Sequence, residues 1–117
     1  FELRLMDGSA NPYLLQAGVI AAGIDGIEKK RDPGQPLFIN MYTDGDNYPN
    51  IKKLPSDLEN ALEYLSNSEV LLSAFGEKNI TSYLKLKQQE LKDFNSRETF
   101  SKKKPITEWE KINTLDC

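Results

Sequence analysis

The seventeen residues 8–24 carry no charge, in a chain where 28% of residues are charged. Interrupted by Asn11, Pro12 and Gln16, this run falls short of the roughly 20 mostly apolar residues that a bilayer span needs. It predicts a helix over 11–27 that is buried on nearly every side. Asn11 suits the N-cap, Pro12 the first turn, where its missing N–H has no intrahelical partner, and Gly26 the C-terminal cap. Leu14, Leu15, Val19, Ile20 and Ile24 spread around the helix, while Gly18, Ala21 and Ala22 form a flat strip that lets another backbone come close. Ordering a residue costs about 1–2 kcal/mol of backbone entropy, and full burial of a large apolar side chain returns about 1.5–3 kcal/mol. A helix of this composition is expected to be wedged into something larger.

Ahead of it the chain alternates. Phe1, Leu3 and Leu5 share one face and Glu2 and Arg4 the other, which predicts a strand over 1–6. On spacing alone, Glu2 and Arg4 read as a solvated ion pair worth about 0–1 kcal/mol. Beyond the first helix, Asp32-Pro33-Gly34 marks a turn, residues 37–39 a short extended piece, and residues 42–55 a surface loop. Further helices are predicted over 56–66, 68–75, 79–95 and 107–114. In the first of these, Ser56 and Glu59 make a capping box, and Leu58, Ala61, Leu62 and Leu65 recur at helical spacing. Ser68 caps the second, which Gly76 closes, and Asn79 caps the third, with Ile80, Tyr83, Leu84, Leu91 and Phe94 on one broad face. Lys87 and Glu90 read as an ordinary ion pair three residues apart. Thr107 and Glu110 form a second capping box, and Trp109 is expected against the other helices or a neighbouring subunit. The fold class is therefore mainly α with one leading β-strand.

A net charge of −3 argues against a protein dominated by contacts to phosphate backbones, and Lys102, Lys103 and Lys104 are closely followed by Glu108, Glu110 and Asp116. Neither nucleic acid nor a membrane is expected as a partner. A single cysteine, Cys117, excludes an internal disulfide and suits a reducing cytoplasm, and no secretory signal is visible. The sequence contains no histidine, no glycine-rich phosphate loop and no cluster of carboxylates around Glu2.

The string E-L-R-L-x-D-G-S-A-N-P-Y-L followed by A-A-G-I-D-G-I resembles the start of the C-terminal portion of glutamine synthetases, where an Arg-x-Glu-x-Arg strand leads into an Asp-x-x-x-Asn-Pro-Tyr-Leu helix. Weaker similarity continues through Leu54 to Leu58 and through Tyr83, Leu84, Lys87 and Glu90. The ending, with Thr107 to Glu110 and Thr114 to Asp116, is most similar to the type III or T-type branch, which has γ-glutamylmethylamide synthetases among its relatives. The resemblance implies that residues 1–117 are the helical C-terminal portion of an α+β catalytic domain. It further implies an ATP-dependent ligase that joins glutamate to ammonia through γ-glutamyl phosphate, or to methylamine or another small amine. By position, Glu2 matches the family's metal-ligating glutamate and Arg4 the arginine that binds the glutamate carboxylate. A carboxylate is a hard oxygen ligand for Mg²⁺ or Mn²⁺, and a guanidinium grips a carboxylate bidentately. Asn40-Met41-Tyr42 resembles the context of a tyrosine that some bacterial members adenylylate, although its flanks differ, so Tyr42 is a candidate modification site. The family's other arginine of the strand falls immediately before Phe1. The sequence is accordingly expected to be a fragment, inactive alone, whose missing N-terminal part carries the remaining machinery and whose full-length protein is a homo-oligomer. The competing expectation is a free-standing helical interaction module, with Glu2 and Arg4 as a surface pair.

Overall fold

The computed structural model describes residues 2–3, 5–6, 8–48, 50–97 and 106–114. Among these the secondary structure is entirely helical. The first helix, α1, spans Pro12–Glu28. The Asn11 side chain starts it by accepting hydrogen bonds from the backbone N–H of Tyr13 at 3.0 Å and Leu14 at 3.1 Å, with Pro12 in the first turn. The helix runs through Gly26, expected as its cap, and ends at Lys29. Asp25 explains the extra residues: its carboxylate takes Lys29 Nζ at 2.6 Å and Arg31 Nε at 2.8 Å, drawing the departing chain back over the last turn. The positive φ of 49° falls on Lys30 instead of a glycine.

Among the described residues the leading strand is not seen. Glu2, Leu3 and Leu5 lack regular hydrogen-bonded structure, as do residues 37–39, the expected extended piece. Alternation specifies a face, but a strand exists only where a ladder satisfies its backbone groups, and no partner strand lies among the described residues. The expected loop 42–55 also begins differently. Asn40 caps a short helix α2, Met41–Asp44, followed by a 3₁₀ turn over Gly45–Asn47.

Helix α3 spans Leu58–Ser66, and its cap is Asp57, one residue after the expected Ser56. Asp57 prevails because its carboxylate accepts from the Asn60 backbone N–H at 2.9 Å and also receives Ser56 Oγ at 2.8 Å and Asn60 Nδ2. These donors hold its carboxyl below the ordinary value, the Asn60 backbone N–H first among them. Helix α4, Glu69–Phe75, is capped by Ser68 and closed by Gly76 at φ 82°, a left-handed backbone that suits glycine. Helix α5, Glu77–Arg97, starts directly after Gly76. Asn79, expected as its cap, instead donates from Nδ2 to the Phe75 carbonyl at 2.8 Å and so satisfies the end of α4. Helix α6 spans Glu108–Asn113, with the Thr107–Glu110 capping box formed.

Packing runs as a chain: α1 against α4, α4 against α5, and α5 against α3. The core is small, with Leu62 of α3 and Ile80 of α5 each 6% exposed. A methyl placed on Gly18 of α1 would lie 3.8 Å from Leu71 Cδ2 and 3.9 Å from the Phe75 ring, so part of the flat strip meets α4 closely. The solvent-accessible surface is 10514 Å², whereas a compact monomer of this mass exposes roughly 6500 Å². On α1, Tyr13, Ile20 and Ile27 are 82%, 62% and 79% exposed. No helix among the described residues is long and apolar enough to cross a membrane.

Candidate functional site

The segment before α1 carries the residues singled out for chemistry. Glu2 is exposed, and so are its neighbours Leu3 and Leu5. Arg4 lies outside the described residues, as do Phe1 and Cys117. Asn11 and Pro12 fix where this segment meets α1, because the cap sets the angle at which chain enters helix. A carboxylate at Glu2 has the right donor chemistry for a divalent cation, yet no group of three or more candidate ligands occurs among the described residues.

Tyr42 sits in the first turn of α2, where its backbone N–H donates to Asn40 Oδ1 at 3.0 Å and its side chain stands fully in solvent. Its hydroxyl is open to an approaching enzyme. Lys87 and Glu90 form the expected pair at 2.7 Å, and the ammonium also lies 6.0 Å from the centre of the Tyr83 ring. These contacts knit the surface of α5 and assemble no reactive group.

Two polar clusters escaped the sequence. One is the Asp25–Lys29–Arg31 clip, whose carboxyl is held below the ordinary 3.8, chiefly by the hydrogen bond from Lys29. The i,i+4 spacing of Asp25 and Lys29 signalled half of it. The other joins Asp93 to Trp109, sixteen positions away, and carries no local signal.

A groove between α1 and α4 is lined by Ile20, Ala21 and Ile24 on one side and by Val70 and Ala74 on the other, together with the charged Asp25, Glu28, Lys29 and Glu69. With the open face of α1, it makes that helix a surface suited to being covered.

Helix order, the Asn-Pro cap and the segment before it define a recognisable class. The chain belongs to the glutamine synthetase family: residues 1–105 match the family described as "Glutamine synthetase, catalytic domain". It is 46% identical over 116 residues to a glutamine synthetase of Rhizobium meliloti (strain 1021), covering 99% of this chain and 25% of that protein. It is 44% identical over 92 residues to a glutamate–methylamine ligase of Methyloversatilis universalis, covering 76% of this chain and 21% of the relative. A solved GmaS/ADP complex aligns with a TM-score of 0.76 and 43% identity over 98% of this chain and 24% of its own. The chain thus spans about a quarter of the length of these relatives.

Proposed function

We propose that residues 1–117 are the C-terminal helical part of an ATP-dependent glutamate–amine ligase, joined through 1–6 to the sheet of an α+β catalytic domain. The observation that carries this reading is the family match over residues 1–105, and the uncovered apolar face of α1 is what a helix lifted from such a domain would show. The reaction has two steps. The γ-phosphoryl group of ATP passes to the γ-carboxylate of glutamate, giving ADP and γ-glutamyl phosphate. The amine nitrogen then attacks the acyl carbon, phosphate leaves, and the nitrogen gives up a proton as the amide forms.

In this reading Arg4 pairs with the substrate carboxylate and fixes the orientation of glutamate, while Glu2 provides one oxygen ligand to Mg²⁺ or Mn²⁺. The cation, when bound, neutralises charge developing on the phosphoryl oxygens. The remaining ligands and the nucleotide pocket come from polypeptide outside this sequence, and the working protein is a cytoplasmic homo-oligomer. Tyr42 is the position at which nucleotidyl modification would regulate it. Ammonia is the first choice of nucleophile. Methylamine is the second, favoured by similarity to the glutamate–methylamine ligase and to GmaS. One methyl group shifts pocket affinity by only about 1–3 kcal/mol, so a small change in the amine pocket separates the two.

The test is ATP-dependent phosphate release by the full-length protein with glutamate, comparing ammonia and methylamine side by side. Arg4→Ala is expected to raise KM for glutamate about 10- to 100-fold, as loss of a charge-assisted pair does. Glu2→Gln is expected to weaken Mn²⁺ binding measured directly by electron paramagnetic resonance. Absence of phosphate release with every small amine would defeat the ligase reading. A free-standing interaction module predicts that the 117-residue chain sediments as a soluble monomer, whereas the ligase reading predicts self-association through α1.

A further inference from the structure

The caps of helix α6 come from within its own segment. The Thr107 backbone N–H and hydroxyl both donate to Glu110 Oε2, at 2.7 and 2.8 Å, and the Glu110 N–H returns a bond to Thr107 Oγ1 at 3.1 Å. At the other end, Thr114 Oγ1 donates to the Glu110 carbonyl at 2.6 Å. All these contacts lie within 107–114, so none of them ties the segment to α5, and a helix this short is marginal once it leaves its neighbours. The contact with α5 is of another kind. Trp109 Nε1 donates to Asp93 Oδ2 at 2.7 Å, and the indole meets the Phe94 ring edge-on at 5.6 Å. The second oxygen of the same carboxylate, Oδ1, holds Arg97 Nε at 2.8 Å. Along α6 itself Ile112 remains 72% exposed, and the burial that the segment does have is at its N-cap, Thr107, 6% exposed.

We propose that α6 is a latched arm, in which the Asp93 carboxylate grips Trp109 and Arg97 together, so that α6 docks and releases as one unit while α5 stays folded. A polar hook suits this better than an apolar seam, because a single bidentate acceptor switches the contact on or off without unmaking a core. The device is independent of the ligase assignment.

Amide hydrogen exchange in the full-length protein tests it. Trp109→Phe keeps an aromatic ring against Phe94 but removes the donor, and Asp93→Ala removes the acceptor. Both are expected to speed exchange across 108–113 by about tenfold or more, while 80–90 changes by less than about twofold. Unchanged exchange in 108–113, or a parallel rise in 80–90, overturns the latch. Should Asp93→Ala fail to fold, Trp109→Phe alone decides it.

Discussion

Helices α1 and α5, the two longest in the chain, solve opposite problems. α5 is amphipathic: Ile80 is buried, while Lys87, Glu90 and Arg97 occupy ion pairs along its surface. Its partners, α3 and α4, come from the same chain. α1 has no charge before Asp25 and packs on α4 along one strip, with large apolar residues open elsewhere. α5 thus finds its partners within this chain, whereas the proposed reading places the partners of the open face of α1 in the rest of a catalytic domain. Charge patterning reveals this before any contact is counted, because a helix meant for water carries a polar face and α1 has none.

The sharpest way to break the contrast is truncation in each helix. Ile80→Ala should lower the stability of the 117-residue chain by about 2–5 kcal/mol in urea unfolding followed by circular dichroism. Ile20→Ala in the same chain should change it by less than about 0.5 kcal/mol. Equal losses would mean that α1 is already covered. Next in size, Gly18→Leu should cost about 1–3 kcal/mol by forcing α4 away, whereas Gly18→Ala fits, since its methyl would meet Leu71 and Phe75 at ordinary contact distance. At Gly23 nothing lies within 4 Å of an added methyl, so Gly23→Ala should stabilise the 117-residue chain by about 0.5–1 kcal/mol through helix propensity. If it instead destabilises the full-length protein, another backbone lies against Gly23. Smaller again, Asn11→Ala and Ser68→Ala should each cost about 1 kcal/mol, the usual loss of an N-cap.

The smallest effect is in pH. Asp25, Asp57 and Glu110 are held below their ordinary values of 3.8, 3.8 and 4.5, chiefly by the Lys29 side chain, the Asn60 backbone N–H and the Thr107 backbone N–H. A carboxyl depressed in the folded state contributes stability that is full above its unfolded pKa and is lost as pH falls through the folded value. Helicity should therefore stay flat from neutrality to about pH 5 and decline below about 4. A decline beginning above pH 6 would show that other groups control unfolding.

Much of the fold was legible because its signals are local. Asn11-Pro12, Ser68 with Gly76, and Thr107 with Glu110 each placed a helix end within a few residues. Local signals also misled where two residues competed for one role: Asp57 displaced Ser56 because a charged carboxylate gathers more donors, and Asn79 turned back to serve α4. The alternation of Phe1 to Leu5 was real as a pattern, but a strand depends on a partner that no single segment specifies. Glu2 and Arg4 gained meaning only through resemblance, since spacing alone describes any surface pair. The hook from Asp93 to Trp109 crosses sixteen positions and left no trace in periodicity.

The central claim is that α1 is an interior helix of a larger catalytic domain. Amide exchange across 12–28, compared between the 117-residue chain and the full-length protein, tests it directly. The account predicts that the full-length protein slows exchange there by about 100-fold or more, while 80–90 in α5 changes far less. Equal exchange of α1 in both would contradict it.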